Sequence, residues 1–164
     1  LFLNTVSPKT LEAYEKELAV IARTLSERDL NENAGSLRHA QLIVKAIQAK
    51  LRIRSTLVQA YQDNDRKTLT DLVEEIQETE QCYADLSESF RSLWLSRNKP
   101  FGLEVIQIRF AGCISRLKET RRRISEYLTK AVPAIPELDE IKDKNVPQPP
   151  GWTYRHTATG STIF

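Results

Sequence analysis

The sequence predicts an all-α fold: an antiparallel, up-and-down bundle of about four long helices, followed by an extended Pro-rich C-terminal arm. Three observations predict it. Apolar residues recur every seven positions along four stretches of residues 1–133, the repeat by which a helix keeps one stripe toward its neighbours. Short polar or Pro/Gly segments separate the stretches, so each helix turns back beside the last. The period then disappears, and four of the seven prolines lie after position 135. The predicted division is a helical bundle over 1–133 and an arm over 134–164.

Helix one starts at Ser7-Pro8, where a hydroxyl accepts an orphan N–H and proline occupies the position whose missing donor does no harm. Leu11, Leu18 and Leu25, with Tyr14 and Ile21 interleaved, draw its apolar stripe; Glu12, Glu15, Lys16, Arg23 and Glu27 take the other side. The polar run from Asp29 to Gly35 ends it. Helix two begins near Ser36, with Leu37, Val44, Leu51 and Val58 on one line and Ala40, Ile47 and Tyr61 on the next. Its roughly 29 residues make a rod of ~43 Å. Gln62 to Asp65 interrupts it. Helix three follows from about Arg66 to Arg97, placing Leu69, Ile76, Tyr83 and Phe90 on one line and Leu72, Thr79, Leu86 and Leu93 on another.

Asn98-Lys99-Pro100-Phe101-Gly102 is the sharpest break, because Asn tolerates a left-handed cap, Pro cannot continue a helix and Gly takes unusual dihedrals. Helix four resumes at Leu103 with Phe110, Leu117, Ile124 and Ala131 on one line and Ile106, Cys113 and Tyr127 on the next, and Val132-Pro133 closes it. Gly112, beside Ala111, costs about 1 kcal/mol of helix propensity. A close approach of another backbone is the expected reason. In the arm, Pro147 to Pro150 favours an extended path, and the alternation Trp152, Tyr154, His156 suits a short strand or hairpin lying on a neighbouring domain.

Composition narrows the function. The 24 Lys+Arg against 22 Asp+Glu leave a net charge of +2, which gives no long-range field for a general nucleic-acid or membrane-surface binder. No apolar run approaches the ~20 residues that cross a bilayer, and the opening residues lack the basic start and apolar core of a secretory signal. Neither membrane nor nucleic acid is an expected partner. Cys82 and Cys113 sit at helical spacing among apolar neighbours and read as buried free thiols. They leave the compartment open, with the cytoplasm favoured over secretion. The chain contains no Met, so position 1 is not a translation start and the sequence reads as part of something longer.

No catalytic residue, cofactor site or metal site is expected. Asp139-Glu140 is an adjacent carboxylate pair in a charged run, with nothing nearby to raise either pKa for acid/base work. His39 and His156 are too far apart in pattern to form a metal pair. No nucleophile elbow, zinc-binding HExxH or phosphate loop occurs. Lys118 with Arg121 to Arg123, and Lys50, Arg52 and Arg54, are basic helix faces; Glu119 and Glu126 are expected to neutralise the first in part. The cluster that stands out joins aromatics, cations and a forced reversal. Its Trp94, Arg97, Asn98, Lys99 and Phe101, with Arg109 on the next helix, are the candidate domain-interface residues, being of the types that interface cores favour.

That cluster, continued by Gln107-Ile108-Arg109-Phe110-Ala111-Gly112-Cys113-Ile114-Ser115-Arg116-Leu117, resembles the C-terminal helical region of bacterial family 20 glycoside hydrolases, the β-N-acetylhexosaminidases. The resemblance is clearest over 94–128 and extends to Ala134-Ile135-Pro136-Glu137-Leu138. It implies a parent enzyme that removes terminal β-linked N-acetylhexosamine on a TIM barrel, with the substrate's acetamido group as nucleophile and an Asp-Glu pair at a strand end. This chain has neither barrel nor strand-borne pair. Its implied work is to pack on the barrel of its own parent chain or to complete a homodimer interface. The alternative is a free-standing, spectrin-like adaptor that binds another protein. A third reading, nucleic-acid contact through the Arg121 to Arg123 face, has no interleaved aromatics to support it.

Overall fold

The computed structural model describes residues 8–28 and 33–139. Among these the chain is a bundle of α-helices without strands: α1 Pro8–Ser26, α2 Ala34–Gln62, α3 Arg66–Arg97, α4 Leu103–Leu128 and the single turn α5 Pro136–Asp139. Helices α2, α3 and α4 run up, down and up. The ends of α2 and α3 are tied crosswise, with the Arg97 guanidinium donating to Ser36 Oγ at 2.8 Å, and Asp63 to Asp65 linking the opposite ends. Arg121 meets Glu80 across α3 and α4 in the same antiparallel sense.

One core is shared by α2, α3, α4 and the segment after α4. Ile53, Leu57 and Ala60 meet Leu69, Leu72 and Ile76, then Leu117 and Ile124, all nearly inaccessible to solvent. A second, smaller group of Ala46, Cys82 and Leu86 continues it toward the α3–α4 turn, with Leu42, Tyr83 and Phe110 packed against it. The predicted apolar lines of helices three and four supply most of this core. Helix two differs from expectation. Its predicted line of Leu37, Leu51 and Val58 is only half-buried, with Val44 alone buried, whereas Ile53, Leu57 and Ala60 lie deepest. The reason is that α2 has neighbours on two sides and spreads its apolar surface between them.

Helix α1 is the larger departure from a four-rod seam. It packs chiefly on α2, and less extensively than α2 packs on α3. Leu18 is buried, but Tyr14, Val20 and Ile21 remain 49%, 65% and 47% exposed. The heptad line that carries Tyr14 and Ile21 expects a second neighbour, and the described residues leave it about half exposed. Gly112 likewise departs from expectation: a Cβ there would meet nothing within 4 Å, so the small residue admits no backbone of the described chain.

The far end is closed by paired C-caps. Asn64 and Lys130 both adopt left-handed conformations, with φ of 53° and 61°. Asp65 N–H then reaches Ala60 O, and Ala131 N–H reaches Glu126 O, each at 2.8 Å. These are the six-to-one bonds of a Schellman cap, which satisfy orphan helix carbonyls. Helix four therefore stops at Leu128, short of the predicted Val132-Pro133, and Ala131 is exposed rather than on the core line.

The passage into the predicted arm is also different. Ile135 and Leu138 are 2% exposed and belong to the main core. Tyr61 secures them: its Oη accepts the Ile135 N–H at 3.0 Å and donates to the Asp139 carboxylate at about 3.2 Å. Residues 134–139 are thus part of the body, because two apolar side chains in a Pro-bounded turn cover the open end of the core. The Pro147 to Pro150 stretch, the Trp152 alternation, His156 and Glu140 lie outside the described residues.

Candidate functional site

The predicted interface cluster forms the corner where α3 turns into α4. Asn98 ends α3 in an extended conformation, its N–H still bonded to Trp94 O at 2.8 Å. Trp94 folds over the turn and donates its indole N–H to Lys99 O at 2.9 Å. Gly102 follows at φ 89°, a region that L side chains seldom enter, and the Trp94 ring lies 3.7 Å from where its Cβ would stand. The Glu104 carboxylate accepts the Gly102 N–H at 3.0 Å and caps the new helix. Beneath the corner, Phe90 stacks between Trp94 and Phe110 with centroids 5.7 and 6.0 Å away, and His39 closes the aromatic group at 5.9 Å.

The six candidates therefore divide. Trp94, Asn98 and the carbonyl of Lys99 build the corner from inside, and Arg97 fastens it to the start of α2. Phe101 points outward, 81% exposed, and Arg109 is exposed on α4 without a partner among the described residues. Val105, which closes that cluster in the sequence, and Ile108, which the sequence reading gave no role, are 50% and 67% exposed on α4. The signal was present in the spacing 101, 105, 108, which places all three on one side of a helical path.

The other candidates resolve into structure. Cys82 and Cys113 are buried free thiols, and burial pushes the Cys82 thiol up, away from a reactive thiolate. Burial also pushes the Tyr83 phenol up to about 12 and holds the Lys50 ammonium below its usual range. His39 Nδ1 lies 3.1 Å from Ser89 Oγ, and desolvation lowers its pKa. A serine beside a histidine is half of a nucleophilic relay, but among the described residues no third group orients this ring. The groove next to it, about 540 Å³ between α2 and α3, is lined by Arg38, Asp85, Glu88 and serines rather than by convergent reactive groups.

Asp139 accepts from Tyr61 and stays exposed, so it serves the chain exit. Arg121, Arg122 and Arg123 are all paired, the first with the buried Glu80 at 2.8 Å and the others with Glu126 at 3.1 and 2.9 Å. Glu126 neutralises as expected, and Glu80 rather than Glu119 takes Arg121. Arg52 is bound by Glu75. These four arginines are thus held by carboxylates of the chain itself, which leaves them less to offer a phosphate backbone. Among the described residues no three His, Cys, Asp or Glu converge as metal ligands, and no helix is long and apolar enough to cross a membrane.

What remains among the described residues is a helical body with a hydrogen-bonded corner and apolar side chains facing outward beside it. The Glycoside Hydrolase 20C C-terminal domain family matches residues 1–150, all four long helices and the first part of the arm. No curated protein matches the chain.

Proposed function

Because the chain belongs to the Glycoside Hydrolase 20C C-terminal domain family, we propose that it is the accessory domain of an exo-acting β-N-acetylhexosaminidase, and that it steadies the catalytic barrel by packing on it. The barrel carries the hydrolysis of terminal β-linked N-acetylhexosamine; this domain supplies surface. The observation that carries the reading is Phe101, held 81% exposed at the tip of a corner fastened by the Trp94 indole and the Glu104 carboxylate. A large aromatic presented on a rigid support is how interface anchors are built. Val105 and Ile108 extend it, and Lys99 and Arg109 provide a charged rim.

The test uses the full-length gene product. The intact enzyme should hydrolyse a chromogenic β-N-acetylglucosaminide, and the isolated chain should not. In the intact enzyme, Phe101→Asp should lower the melting temperature of the barrel by a few degrees, as expected for about 1–2 kcal/mol of lost docking. A reading frame with no barrel upstream, or turnover by the isolated chain, would overturn the proposal.

A further inference from the structure

Resting on that reading, we infer that the surface docked on the catalytic domain is not the corner alone but an open face spanning α1, α2 and α4, and that α1 is held in place by the docking. The α2–α4 seam is closed at one end by Tyr61 against Tyr127, ring centroids 5.2 Å apart. Ile43 precedes Tyr61 by about five whole turns and so lies on the same side of α2. Val105 precedes Tyr127 by about six turns and lies on nearly the same side of α4. The two lie within about two turns of one height, since α2 and α4 run the same way and the five and six turns are counted back from one tyrosine pair. Yet Ile43 is 39% and Val105 50% exposed: the seam that is shut at Tyr61 gapes here. Helix α1 flanks the gap, its Leu25 carbonyl taken by the Gln41 side chain at 3.0 Å, and it brings Ile21 to the same height.

Charge identifies the occupant. Arg54, on the Ile43 side of α2, and Arg109, one turn beyond Val105, have no hydrogen bond or ion pair among the described residues. A two-fold dimer through this face would bring the arginines of both copies into one interface. A different surface, apolar at its centre with carboxylates at its edge, satisfies it, and the tethered catalytic domain reaches it at high effective concentration.

Hydrogen exchange on the full-length enzyme tests this. Ile21→Asp and Val105→Asp, on different helices, should each raise exchange about ten-fold both in α1 and in a segment of the barrel, while Ala19→Asp, exposed elsewhere on α1, should change neither. Unchanged barrel exchange in both variants overturns the assignment. So does the same response on trimming residues 140–164, which would make the arm the occupant, or a dimer that dissociates in sedimentation, which would make it a second copy. If deleting the whole domain leaves barrel exchange unaltered, the accessory reading itself falls; if deletion raises it and the two aspartates do not, only the surface is wrong.

Discussion

The two poles of the bundle are built from similar helix ends and finish differently. At the Tyr61 pole two left-handed caps, a one-turn helix and a tyrosine fastening bury Ile135 and Leu138 over the open core. At the Trp94 pole an equally well-bonded corner leaves Phe101, Val105 and Ile108 in solvent. Hydrogen-bond satisfaction does not distinguish them, since both turns place their polar groups. Apolar surface does. One pole has finished its packing with its own chain, and the other presents apolar surface that its own described residues do not cover.

Truncation at matched apolar positions should break the comparison most visibly. Leu138→Ala at the closed pole should cost about 2–4 kcal/mol in chemical denaturation, the range for fully buried leucines. Ile108→Ala at the open pole should cost the isolated domain no more than about 0.5 kcal/mol. Equal losses would mean that the poles are not different in kind. Next in size is Gly102→Ala, which forces a side chain into φ 89° beneath Trp94 and should cost about 1–2 kcal/mol, with a change in tryptophan fluorescence reporting the displaced ring.

The smallest effect concerns His39, under the open corner. Its folded pKa is lowered from 6.5 by desolvation, so the unfolded chain binds the proton more readily. Stability should therefore be fully present above about pH 6.5, fall as the pH drops through that value, and level off below the folded pKa. His39→Gln should flatten that part of a stability-against-pH curve. An unchanged slope would show that the ring is not desolvated by Phe90 and Ser89.

Much of this was legible in the residues. The helices and most of their boundaries followed from seven-residue recurrence and from Asn98 to Gly102, because periodicity and turn chemistry act locally; the end of α4 at Leu128 did not. The interface was legible in part. Trp94 and Phe101 stood out by type, but type could not say that the indole would turn inward to Lys99 while the phenyl turned outward. Ile135 and Leu138 were hidden by the prolines around them, which signalled an arm and concealed a lid. Tyr14 and Ile21 were assigned inward because a heptad line states that a neighbour is wanted without stating which chain supplies it.

By itself, then, the sequence determined that long amphipathic rods would form and where they would reverse, since both depend on residues a few positions apart. Only the tertiary structure decided which apolar lines found partners. It closed α2, α3 and α4 around one core and left the outer line of α1 and the start of α4 bare. The physical reason is geometric: burial is a property of pairs of surfaces, and whether two stripes meet depends on rods whose contacts are some 60 residues apart along the chain, as Arg97 and Ser36 are.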